Sequence, residues 1–182
     1  RYIYTSSSWE FIEDENGNFI DEFGIKRKKC GAYYDVVNED CILKEGNIKD
    51  LKNLKLPDLG DPKKFSKLKQ QAKDLFENTE FAIILGDVGG VLQGSPVSDL
   101  VGWERFLMYL ELKPGFIKKL ADRFLEYWIK FFSKALSECG EYIDVVWLGD
   151  DWGTQNGPIM NPKTFREIFK PRYKELISLI KK

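Results

Sequence analysis

The residues best suited to chemistry in this sequence are carboxylates that follow apolar runs. Asp150 and Asp151 stand just after the mostly apolar run 142–148, and Asp87 follows Gly86 after the run 81–85. Adjacent carboxylates can hold a metal, share a proton, or grip an amide or pyrrole N–H. The plain alternative is that one caps the next turn and the other is solvated. Trp147, Trp152 and Gln155 add flat and amide surfaces that suit an organic ligand or, equally, core packing. Gly89 and Gly94, with Ser95 next, have the spacing of a phosphate loop, but no lysine follows and Ser95 precedes Pro96. With Gly90 they read instead as a loop that lets a ligand or another stretch of backbone come close.

Two absences narrow the chemistry. The 182 residues include no histidine. That removes Ser-His-Asp and Cys-His nucleophile pairs, the HExxH zinc helix and every imidazole base. Cys30, Cys41 and Cys139 show no CxxC spacing, and without histidine they make a poor zinc set. An odd, sparse count reads as reduced thiols in a cytoplasmic protein. Asp14, Asn16 and Asn18 imitate the opening of a calcium loop, but the glycine falls one position early, at Gly17, and Ile25 stands where the closing Glu belongs. Asn16-Gly17 reads better as a hairpin turn, because both residues tolerate positive φ.

Lys and Arg number 28 against 29 Asp and Glu. That balance argues against a general nucleic-acid binder or a polybasic membrane-surface protein. Lys163, Arg166, Lys170, Arg172, Lys174, Lys181 and Lys182 read as a solvated helix face. No apolar stretch approaches the roughly 18 residues that span a bilayer, and no signal peptide is visible.

The candidate groups need a scaffold to bring them together. Composition is that of a folded chain, 43% hydrophobic and 31% charged. Residues 1–45 read as β-rich. A strand at 2–5 precedes a hairpin with Trp9, Phe11 and Ile12 before its turn and Phe19, Ile20 and Phe23 after it. A basic stretch at 26–29 and a strand over 32–37 follow. Residues 46–182 read as βα units. Asp61-Pro62 opens a helix with Phe65, Leu68, Ala72, Leu75 and Phe76 on one face. Residues 81–85 read as a strand buried on both faces, as in parallel sheets, and a glycine-rich loop spans 88–98.

Helices follow over 103–112 and from Pro114. The second turns Phe116, Leu120, Phe124, Trp128, Phe131 and Ala135 inward and ends at a left-handed cap on Gly140. A second parallel strand spans 142–148. Asn161-Pro162 starts a helix through Phe165 and Phe169, which Pro171 breaks or kinks before a last helix over 173–182. Strands joined by helices give an α/β fold with a parallel sheet. Both apolar strands end in glycine and then acid. In a β/α barrel the C-terminal strand ends form the active face.

The segment Asp150-Asp151-Trp152-Gly153-Thr154-Gln155-Asn156-Gly157-Pro158-Ile159-Met160-Asn161-Pro162, with Phe165-Arg166-Glu167 and Pro171, resembles the uroporphyrinogen decarboxylase superfamily. It is most similar to the cobalamin-dependent methyltransferase branch, whose members carry a D-D-x-G-T-Q-x-G-P segment before a Pro-started helix. Asp21-Glu22-Phe23-Gly24, Gly31-Ala32-Tyr33-Tyr34-Asp35, Leu56-Pro57-Asp58, Asp61-Pro62 and Gly102-Trp103-Glu104 resemble that branch too.

The resemblance implies a partial (β/α)8 TIM barrel with an N-terminal β-hairpin insertion. Residues 1–182 would be the central part of it, since a complete barrel takes about 250 residues. It makes Asp151 and Asp150 the catalytic candidates. Asp87, Gly89, Gly90, Trp152 and Gln155, with Asp21 and Glu22 nearer the mouth, become the substrate-binding candidates. The implied reaction moves a methyl group between a corrinoid (methylcobalamin, free or on a corrinoid protein) and a thiol or related small acceptor.

Zinc, which lowers a thiol pKa, is implied for the complete enzyme, but the family's His and Cys ligands have no counterpart in this chain. The alternative is a metal-free decarboxylase of uroporphyrinogen III. Its early arginine-bearing segment is missing here, and Asp151 stands where it carries a hydroxyl. A third reading is an inactive fragment or a corrinoid- or tetrapyrrole-binding module. An unclosed parallel sheet exposes strand edges, so the chain alone is expected to be marginal or oligomeric. No nucleic-acid or membrane partner is expected.

Overall fold

The structure, a computed structural model, describes residues 2–4, 13–60 and 62–182, with the side chains of 2–4, 62–64 and 87–89 outside the description. In chain order the strands are β1 Tyr2–Tyr4, β2 Asn18–Ile20, β3 Lys26–Cys30, β4 Tyr33–Val36, β5 Ile84–Gly90, β6 Val145–Gly149, β7 Gly153–Thr154 and β8 Gly157–Pro158. The helices are α1 Pro62–Asn78, α2 Trp103–Leu112, α3 Pro114–Cys139, α4 Pro162–Thr164 and α5 Lys170–Ile180. The fold mixes helix and strand as the sequence pattern implies. Its sheets are small, and among the described residues no barrel closes.

The sheet that carries the acids is parallel and three-stranded, in the order β1-β5-β6. Tyr2 pairs with Ile84, so the first strand belongs here and not to the β-hairpin region assigned to 1–45. The strand expected at 81–85 is displaced toward the C-terminus and runs to Gly90. Leu85 pairs with Val146, Val88 with Leu148 and Gly90 with Gly149. Between each of these pairs and the next, β5 carries one residue more than β6 can match. Such extra residues form bulges, and Gly86, Gly89 and Gly90 tolerate the bend. Asp87 therefore lies inside a bulged strand rather than at its end. The expectation that both strands terminate in glycine and acid holds only for β6.

Val146 and Leu148 pack against the core while Val145 and Trp147 are about half exposed. This alternation is that of a strand covered on one face. Along the outer side of β6 runs an open groove of about 1150 Å³ whose lining includes Leu136, Ile143, Ile177 and Ile180. Asp150 and Asp151 are not part of it.

Helix α3 organises the interior. Phe116, Leu120, Phe124, Trp128, Phe131 and Ala135 recur at helical spacing and all are buried. Phe65 of α1 meets Phe131 at 5.8 Å between ring centres, and Leu68 and Ala72 complete that face. Phe76, expected on the same stripe, is 57% exposed and sits against Tyr142. The last turn of α1 has passed beyond α3, and periodicity alone does not show where a packing partner stops.

Gly140 is right-handed at φ −58°, not a left-handed cap, because the chain continues into a short 3-10 turn. Asn161 caps α4 as expected, its side chain accepting from Lys163 N–H at 2.9 Å. Pro171 does not break the helix through Phe165 and Phe169, and helical backbone runs on without a gap to Ile180. A π-helical turn over Phe165–Phe169 re-spaces the backbone, and Pro171 falls in the first turn of α5, where no N–H is needed.

The second sheet, β2-β3-β4, is antiparallel. The residues 9–12, expected to form the first arm of a hairpin, lie outside the described residues, as does Asp61. The turn after them is built by Asp14, whose carboxylate accepts from the N–H groups of Asn16 and Asn18. The described hairpin is the next one, β2 to β3, closed by Asp21 N–H to Ile25 C=O with Gly24 at φ +78°. The basic stretch 26–29 is itself a strand. Phe23 and Ile25 are buried and dock this sheet on α3, Phe23 lying 6.2 Å from Phe124.

Candidate active site at the end of β6

Asp150 follows the last residue of β6 and turns back toward the loop after β5. Its Oδ2 accepts from Leu92 N–H at 3.0 Å. Its Oδ1 accepts from Gln93 N–H at 3.1 Å and Gly94 N–H at 2.7 Å. The Tyr173 hydroxyl on α5 donates to Oδ2. Three converging backbone N–H groups form an anion-binding nest. The glycine-spaced loop thus does cradle an anion, and the anion is the chain's own carboxylate.

Glycine is required for this geometry. A Cβ on Gly90 would run into the backbone of Gly94, and one on Gly94 would lie 3.0 Å from Gly90 Cα and 3.3 Å from Asp150 Oδ1. Trp128 fixes the loop from below, its indole N–H donating to Val91 C=O at 2.9 Å. Asp150 forms no ion pair among the described residues. Burial pushes its carboxyl up to about 6, although the N–H groups of Gly94, Leu92, Gln93 and Val91 pull the other way.

Asp151 is exposed, and among the described residues it accepts one long hydrogen bond, from Gly153 N–H at 3.4 Å. It is free to meet a ligand. Trp152 is half-buried. Its ring is packed among Phe165 at 4.9 Å, Phe169 at 5.1 Å and Tyr173 at 5.7 Å. Gln155 is exposed between the short strands β7 and β8, close in sequence to Asp151. The backbone of Asp87, Gly89 and Gly90 runs beside β6, which brings the two candidate segments together.

Asp21 is held inside the antiparallel-sheet region. Its side chain is wholly buried, accepting from Phe23 and Ile25 N–H and from Arg27 Nε at 2.8 Å. Arg27 then reaches Asp99 at 3.0 Å and Ser95 at 3.2 Å, tying the antiparallel sheet to the glycine loop. Glu22 is exposed.

Sequence reasoning missed four residues that shape this region: Tyr173, Trp128, Arg27 and Gln93. The first three act across 23 to 72 positions, with no local signature. Gln93 had one weak signal, an amide directly after the apolar pair Val91 and Leu92.

Among the described residues no group of three or more His, Cys, Asp or Glu side chains could hold a metal ion. Cys41 and Cys139 are buried and Cys30 exposed, all as free thiols. The described residues do not fit a zinc site. No helix among them is long and apolar enough to cross a membrane. Compared with family models, with curated proteins and with solved structures, the chain matches none.

Proposed function

We propose that this chain is the central part of a (β/α)8 barrel of the uroporphyrinogen decarboxylase superfamily, acting in methyl transfer between a corrinoid and a thiol or related acceptor. The observation that carries the reading is the pairing of β5 with β6 in parallel, with the acid pair at the C-terminal end of β6 and the glycine loop folded onto it. That is the end of a βα sheet where ligands bind. The similarity of residues 150–171 to the family motif supplies the rest.

In the proposed reaction a bound corrinoid would supply the methyl group to the acceptor sulfur, a C–S bond replacing the Co–C bond whose electron pair would stay with the corrinoid. The thiol proton must go to a base, and exposed Asp151 is the carboxylate placed to take it. Gln155 offers its amide to the same ligand. Asp150 holds the loop. No step is derived through zinc, and a cytoplasmic location belongs to the same proposal.

The test is methylcobalamin demethylation by the complete protein with a thiol acceptor, run beside uroporphyrinogen III decarboxylation. Methyl transfer is expected. Coproporphyrinogen formation instead would move the chain to the decarboxylase branch. The commitment of Asp150 to the loop favours a second reading, a corrinoid- or tetrapyrrole-binding module. Saturable cobalamin binding with no product from any acceptor would select it.

A further inference from the structure

Strand β6 has β5 on one side and, among the described residues, no strand on the other. The backbone shows which of its groups face that open side. Val145 N–H donates to Ile83 C=O and Gly149 C=O accepts from Val91 N–H, both at 3.2 Å. Alternate residues of a parallel strand bond to the same neighbour, so Val145, Trp147 and Gly149 face β5. Val146 and Leu148 therefore turn their N–H and C=O groups outward. Both residues are half-buried, and the open groove of about 1150 Å³ runs along this edge, so another chain can reach it. An accessible edge of this kind is a template for one more strand.

We propose that the occupant is β6 of a second copy of this chain, paired antiparallel about a two-fold axis at Trp147. The register follows from the outward groups. Val146 lies opposite Leu148 of the second copy, and Leu148 opposite its Val146, so each exchanges both of its bonds. An axis at Val146 would pair Leu148 with Asp144, whose N–H is already given to Ile83 C=O at 3.0 Å. An axis at Leu148 would pair Val146 with Asp150, which is committed to the glycine loop. With the axis at Trp147, half-exposed Val145 meets Gly149, which has no side chain to oppose it.

The charges match in the same arrangement. Helix α5 starts beside Asp150, where Tyr173 donates to the carboxylate, and its end lines the groove with Gly140 and Ile143, which precede β6. Lys181 and Lys182 thus stand at the opposite end of β6 from Asp151, and all three are exposed. None of the three forms an ion pair among the described residues. The acids near the lysines are engaged: Asp144 accepts from Ile83 N–H at 2.8 Å, and Glu141 faces the Tyr142 hydroxyl. Antiparallel pairing brings each lysine pair to Asp151 of the other copy. It also sets the two grooves, lined by Ile177 and Ile180, side by side. A further strand of a longer barrel would take the same edge, so the pairing is a property of the 182-residue chain.

The test is sedimentation of the full chain from about 1 to 100 µM, with amide exchange read at both ends of that range. No corrinoid is present, so the outcome is separate from that of the methyl-transfer assay. A dimer is expected, with the Val146 and Leu148 amides exchanging more slowly in it than in the dilute chain. The double variant Lys181→Glu with Lys182→Glu should dissociate about tenfold more readily, and adding Asp151→Lys should restore the parent's behaviour. A monomer throughout the range overturns the proposal. A dimer whose Val146 and Leu148 amides exchange as fast as in the dilute chain uses another surface and overturns it too. Charge reversal without effect, or Asp151→Lys without rescue, overturns the antiparallel register. Should a variant not fold, sedimentation and exchange of the parent decide alone.

Discussion

Replacing Asp150 with Asn tests the account of the site most directly. The parent carboxyl is raised from 3.8 to about 6 in the folded chain, with burial as the main cause. A shift of about two units is worth about 3 kcal/mol at roughly 1.4 kcal/mol per unit. The folded state holds the proton more tightly than the unfolded state does. This stabilising contribution is therefore present in full below pH 3.8, falls as pH rises, and is gone once pH passes about 6.

Asp150→Asn has no charge to bury and stays flat across that window. Its amide N–H₂ does oppose one of the donors that faced the carboxylate, a constant cost of about 1–3 kcal/mol. The variant should thus be the less stable protein at pH 4 and should gain on the parent by about 3 kcal/mol by pH 7. For a chain of this length that is about 6–12 °C in melting temperature. Urea denaturation followed by tryptophan fluorescence from pH 4 to 7.5 measures the difference directly. Parallel stability curves would refute the reasoning. A parent that gains on the variant as pH rises would show that the N–H nest, not burial, governs the carboxyl.

Arg27→Met strips the cation from buried Asp21 and from Asp99. It should cost about 3–5 kcal/mol, as breaking a buried pair does, with Asp21→Asn in the same chain recovering most of the loss; a double variant no better than the single one would count against this. Gly90→Ala drives a methyl group into the Gly94 backbone. It should cost about 1–3 kcal/mol as overpacking does and alter the Leu92, Gln93 and Gly94 amide resonances; an unchanged spectrum would show that the loop yields. Asp151→Ala removes an exposed side chain with one long contact, so chemical denaturation should place its stability within about 0.5 kcal/mol of the parent. Under the proposed reaction its turnover falls about 100-fold or more, and undiminished turnover would move the proton-accepting role elsewhere.

What the sequence determined by itself is the local structure set by short-range periodicity and capping. The bounds of α2, the inward face of α3 from Phe116 to Ala135, the Asn161 cap and the presence of a strand before Asp150 are legible, because residues within one or two turns decide them. The expected start of that strand at Tyr142 lies three residues early, since Tyr142 ends a 3-10 turn and β6 begins at Val145. The tertiary structure alone decided what those elements do to one another. The start and end of β5 follow from its register with β6, not from the apolarity of 81–85, since a parallel strand is defined by its neighbour.

Asp150 and Asp151 are adjacent and chemically identical on paper. Only folding makes one of them the anion held by N–H groups 56 to 58 positions earlier and leaves the other in water. Asp21, a candidate near the mouth by its motif, becomes a buried counter-ion once Arg27 is brought beside it. Burial, distance and partner identity fix the role of a carboxylate, and a one-dimensional pattern carries none of the three.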